Sequence, residues 1–125
     1  MIELQRVFWE KAKENLESAE DDSAHQRYNS CASRAYYACF QAAIVALARE
    51  GIRPFGEQWS HRFVQSQFAG ELVSKRHRYA ASLRDSLGDN IVLRQRADYR
   101  LQQVTQVQAS RALRRARDFL DAIQG

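Results

Sequence analysis

The residues best suited to chemistry stand together in "LRQRADYR", residues 93–100, where Arg94, Arg96 and Arg100 surround Asp98 and Tyr99. A guanidinium presents a planar fork that matches phosphate bidentately, and a neighbouring carboxylate can hold one such fork in place. On a turn or a first helical turn, Arg94 and Arg96 could both point at one phosphate while Asp98 orients one of them. The alternatives are a solvated turn, or a structural Asp–Arg pair that caps the fold. A second stretch, "SRAYYACF" (33–40), sets Arg34 just ahead of Tyr36 and Tyr37, where the chain turns apolar. Arg34 there either serves a site at the edge of the core or reaches to solvent, with both tyrosine hydroxyls at the surface.

Other familiar chemistry has no signature. The chain contains no glycine-rich phosphate loop, no nucleophile elbow and no HExxH pair. Carboxylates are scattered, and His25, His61 and His77 fall on three different segments, so neither a metal site nor a cofactor is expected. Cys31 and Cys39 are eight residues apart within one helical pattern. At about 1.5 Å of rise per residue their backbones lie beyond disulfide reach, which predicts two buried thiols. Charge is unevenly distributed. Residues 1–51 hold six basic and eight acidic residues, whereas 52–125 hold thirteen and seven, and sixteen of the nineteen basic residues are arginine. That bias suits a nucleic-acid or nucleotide partner.

The elements that must position these residues read as helices. With one proline and five glycines in 125 residues, the chain has too few turn formers for a sheet protein. Apolar positions at Leu4, Phe8, Ala12, Leu16 and Ala19 predict a first helix over about 2–22, interrupted by "EDDS". A second, over about 24–50, is apolar nearly all round in its latter half, and Gly51 suits the position just past its end. "GIRPFGEQW" is a loop. A third helix begins at Ser60 and buries Phe63, Val64 and Phe68. A fourth follows or continues from Gly70, carries Tyr79, Ala80, Leu83 and Leu87, and ends at "GDN" (88–90). Thr105 and Gln108 form a capping box for the last helix, whose buried face runs from Ala109 through Phe119 to Ile123. Met1 leads straight into charged sequence, so no signal peptide is expected. The most apolar run, residues 35–48, is shorter than the roughly 20 residues of a membrane span. The expectation is an all-α, single-domain bundle over residues 1–125 with no membrane segment, in the cytoplasm.

Three ordered motifs, "SRAYYACFQAAIVAL", "WSHRFVQSQF" and "LRQRADY", resemble those of the HEPN family over roughly residues 28–123. The resemblance implies a four- to five-helix up-and-down bundle that dimerises. It also implies partnership with a small nucleotidyltransferase in a toxin–antitoxin or defence pair. Catalytic members are metal-independent ribonucleases in which a histidine follows an arginine after four to six residues. Here Arg94 leads in that register to Tyr99. A tyrosine titrates near 10 and shuttles protons poorly at neutral pH, whereas a histidine near 6.5 does so well. The resemblance therefore gives an RNA- or nucleotide-binding set of Arg34, Arg94, Arg96, Asp98 and His61, with Arg94 and Tyr99 as the catalytic candidates. It also offers Tyr99 as a target for modification by the partner. Three functions follow: a regulatory binding module, a ribonuclease with Tyr99 or His61 in the missing role, and a purely structural bundle. A homodimer is expected on a second ground, because the chain has few long helices with which to cover the apolar central helix.

Overall fold

The computed structural model describes residues 2–56 and 58–125; Met1, and Glu57 of the predicted loop, lie outside them. Among the described residues there are five helices and no strand. These are α1 (Ile2–Ala24), α2 (Tyr28–Arg49), α3 (His61–Gln67, continued by a π-helical stretch Phe68–Lys75), α4 (Ala81–Tyr99) and α5 (Gln106–Gln124). No described helix is long and apolar enough to cross a membrane.

Helix α2 is the hub. Every residue from Ala42 to Ala48 is buried, and α1, α5, α4 and α3 all pack against it. Its small side chains, including Ala35, Ala38, Ala42 and Ala43, let those neighbours approach closely. One chain thus covers its own central helix, which removes the coverage argument for a second copy. The helix ends as its sequence requires. Gly51 takes a left-handed φ of 75°, and the amides of Gly51 and Ile52 bond back to Ala48 and Leu47, each at 3.0 Å. Only glycine adopts that φ without strain, and the pair of bonds satisfies carbonyls the helix would leave open. Both cysteines are free and buried in this core.

Three boundaries differ from the sequence expectation. Helix α1 runs straight through "EDDS", because those acids act beyond the helix instead of breaking it. Asp22, buried at its end, accepts from Arg27 Nε at 2.7 Å and Ser30 Oγ at 2.6 Å, and so ties the turn into α2. Tyr79 and Ala80 precede α4, and Tyr79 instead stacks on the buried Phe68 at 5.5 Å. Helix α4 does not stop at Gly88–Asn90 but continues to Tyr99. The reason is tertiary: Asn90 is fully buried and bonds across to α5, which outweighs the poor helix propensity of Gly-Asp-Asn. Other signals hold. Ser60 caps α3 by accepting from the Phe63 amide, and Thr105 and Gln108 form the reciprocal capping box of α5.

Candidate functional site

Helical spacing brings Ser33, Tyr36, Tyr37 and Phe40 onto one side of α2. The same logic sets Arg94 and Asp98, four apart, on the side of α4 that meets it. The N-terminus of α3 supplies His61. These three elements meet around an aromatic cluster in which Tyr36 and Tyr37 pack edge to face at 5.3 Å and His61 lies 4.7 Å from Phe40, centroid to centroid.

Arg94 is the centre of this cluster, with a side chain only 14% exposed. Its Nη2 donates to the Tyr37 hydroxyl at 2.9 Å, and its Cζ lies 6.0, 5.4 and 5.4 Å from the ring centroids of Tyr36, Tyr37 and Tyr99. A cation over several ring faces is stabilised by their quadrupoles, more so when water is excluded. Asp98 Oδ2 lies 3.0 Å from Arg94 Nε, but the N–H does not point along that line, so the contact is ionic and Nε itself donates to nothing. The other carboxylate oxygen of Asp98 accepts from Ser33 Oγ at 2.6 Å. Burial disfavours the Arg94 cation, yet Tyr37, Tyr99 and Asp98 outweigh it and hold its pKa above the ordinary value.

Arg34 reaches the same place from α2. Its Cζ is 5.4 Å from the Tyr37 centroid, and its Nη1 donates to Asn15 Oδ1 at 3.2 Å. Asn15 is fixed in turn by donating to Gln41 at 2.7 Å. His61 Nδ1 is hydrogen-bonded to the Tyr36 hydroxyl. Burial, and then the charge on Arg94, push the His61 pKa below its usual value, so the ring is neutral at pH 7. Burial likewise pushes the Tyr36 hydroxyl well above the usual phenol range. The site therefore sets two arginine cations, one carboxylate and an uncharged imidazole among tyrosine rings.

Arg34, Arg94, Asp98 and His61 are thus brought together. Tyr99 lies beside them with its ring against Arg94, while remaining 72% exposed. Arg96 does not join them. Two positions along a helix correspond to a rotation of about 200°, so Arg94 and Arg96 cannot share one phosphate. Arg96 faces a groove with Arg111 and Arg115 on the far side of α4. Tyr36 also differs from expectation: its hydroxyl is inside, on His61, and only Tyr37 lies near the edge. Sequence reading missed Ser33 and Asn15 as positioning groups. For Ser33 a signal existed, since it falls three and four residues before Tyr36 and Tyr37 on the same face. Nothing local marks Asn15.

Comparison with curated proteins finds no match. Comparison with family models finds one that spans residues 5–125, nearly the whole chain. That model describes the HEPN domain, and the chain belongs to the HEPN family, a helical module of the nucleotide- and RNA-related kind.

Proposed function

We propose that the protein is an RNA- or nucleotide-binding regulatory module without efficient catalysis of its own. In this reading it works as a homodimer with a nucleotidyltransferase partner, in a toxin–antitoxin or defence system in the cytoplasm. The observation that carries the reading is the pair of arginines around Tyr37. Arg94 has Asp98 as counter-charge, whereas Arg34 bonds only the neutral Asn15 among the described residues. One carboxylate beside two guanidinium groups leaves a net positive site, and a phosphate would relieve that imbalance. Catalysis is weak because Tyr99, not a histidine, follows Arg94 in register. The same exposed phenol is open to a partner enzyme: its oxygen would attack the α-phosphate of a nucleoside triphosphate and release pyrophosphate. The exposed Leu101 just past the end of α4 supplies apolar surface for the second copy.

A ribonuclease is the second reading, favoured by the position of His61. It reaches the aromatic cluster around Arg94 from a separate helix, in the neutral form that a general base requires. Incubating the purified protein with RNA at low salt separates the two. Binding without cleavage, weakened by Arg34→Gln and Arg94→Ala, supports the module. Cleavage lost in both Arg94→Ala and His61→Ala supports the enzyme. A wild-type protein that binds neither RNA nor nucleotide overturns both. Binding should also be salt-dependent and indifferent to sequence, since residues 75–117 hold eleven basic residues against three acids and few exposed aromatic rings. Sedimentation of the protein as a monomer at micromolar concentration would overturn the dimer.

A further inference from the structure

The far side of α4 meets α5 around a second arginine cluster, and its charges are unpaired among the described residues. Arg96, Arg111 and Arg115 line a groove of about 270 Å³ between α4 and α5, with Gln108 and Val92 on its walls. Among the described residues, none of these arginines, nor the adjoining Arg114, has a carboxylate oxygen within ion-pair distance. Asp89 also lines the groove but bridges to none of them. On the opposite side of α4, Arg94 is paired with Asp98 at 3.0 Å.

Arg115 is aimed into this groove by a buried device. Its Nε donates to Asn90 Oδ1 at 2.7 Å. Asn90, fully buried, donates from Nδ2 to the Ala112 carbonyl at 3.2 Å and to Cys39 Sγ at 3.6 Å. Burying an amide is costly unless its bonds are made, and here they are spent on α5, α2 and a guanidinium. Arg115 thus enters the groove with its Nε occupied, and its terminal nitrogens bond nothing else among the described residues. Three guanidinium forks around one concavity match the multiple oxygens and charge of a phosphate. A single carboxylate would leave most of their donors unmet.

We infer that the α4–α5 groove is a second phosphate-binding site. It takes the phosphate of a nucleotide or of an RNA strand against Arg96, Arg111 and Arg115, with the sugar or base against the 63% exposed Val92. The site is independent of the Arg34–Arg94 cluster and would stand if Arg94 were purely structural.

The test uses the full chain and fluorescence anisotropy with a short unstructured RNA over a range of salt, with AMP as competitor. The variants are Arg96→Gln/Arg111→Gln and, for the other side of α4, Arg34→Gln/Arg94→Gln. Arg96 and Arg111 have no ion pair to lose, so circular dichroism should show the first variant folded. Losing two phosphate contacts, at about 0.7 each in salt slope for a single strand, should flatten log K against log salt by about 1.4 and weaken binding about tenfold. Competition by AMP would assign the site to a free nucleotide, and failure to compete would assign it to the strand. Unchanged affinity and slope in Arg96→Gln/Arg111→Gln would overturn the groove. So would displacement of RNA by a glutamate peptide of equal charge. Loss confined to Arg34→Gln/Arg94→Gln would overturn the groove while leaving the proposed function intact.

Discussion

The two sides of α4 use the same residue type in opposite ways. On one side Arg94 is largely enclosed by tyrosines and paired with Asp98. On the other, Arg96 faces Arg111 and Arg115 in a groove where Asp89 bridges to none of them among the described residues. The first arrangement fixes a cation within the fold and lets it contribute to stability. The second leaves cations available and contributes little. A count of arginines cannot separate these roles, but the partners of each guanidinium do.

The largest effect should come from Asn90, which ties the groove side of α4 to the core. Asn90→Leu removes the acceptor of Arg115 Nε and a donor to α5, and overfills a fully buried site. A loss of about 3 kcal/mol in denaturant unfolding is expected, from unmet buried bonds plus strain. A loss under about 0.5 kcal/mol, the range of ordinary surface changes, would mean that α4 does not depend on this bond network.

Within the paired side the two partners should be unequal. Asp98→Ala strands a largely buried cation and removes the acceptor of Ser33. It should cost about 2 kcal/mol, less than a fully buried pair because the carboxylate is partly hydrated. Arg94→Ala leaves that carboxylate free to hydrate further and should cost about 1 kcal/mol, chiefly lost cation–π contact. Equal losses, or the reverse order, would show that the cage rather than the ion pair holds Arg94.

A stabilising change tests α4 itself. A Cβ added at Gly88 meets nothing within 4 Å, and the residue is helical. Gly88→Ala should therefore raise stability by about 0.5–1 kcal/mol. A decrease would indicate that the helix is not continuous there.

The smallest effect expected is a pH dependence at His61. Its pKa is depressed in the folded state from 6.5, so the unfolded chain binds the proton more readily. The stabilisation is complete above about 6.5 and declines as pH falls towards the lower folded value. Denaturation midpoints measured across that window should fall for the wild type. They should fall less for His61→Asn, which cannot take up the proton. Parallel curves would remove His61 as the source.

Much of this bundle is legible in the sequence. The capping box of α5, the serine cap of α3 and the glycine end of α2 are local signals whose chemistry lies within a few residues. The α4 boundary was not legible, because Gly88-Asp89-Asn90 is breaker chemistry that a long-range bond from Asn90 to α5 overrides. That error carried into the site. With α4 ending early, Arg94 and Arg96 could be imagined on one turn; on a continuous helix their spacing forbids it. The convergence of Arg34, Arg94 and Asp98 could be anticipated from the motifs. The roles of Asn15 and Arg115 could not, since each depends on a partner far along the chain.

The two buried thiols have a practical consequence. Burial pushes Cys31 up to about 11 and Cys39 to about 12, so neither supplies appreciable thiolate at neutral pH, and alkylating reagents act on thiolate. Cys39 sits beneath Asn90, where α2, α4 and α5 meet, so its labelling requires those helices to part. The rate of carbamidomethylation at each sulfur is therefore an intrinsic clock for opening of the bundle, readable by mass spectrometry without any engineered probe.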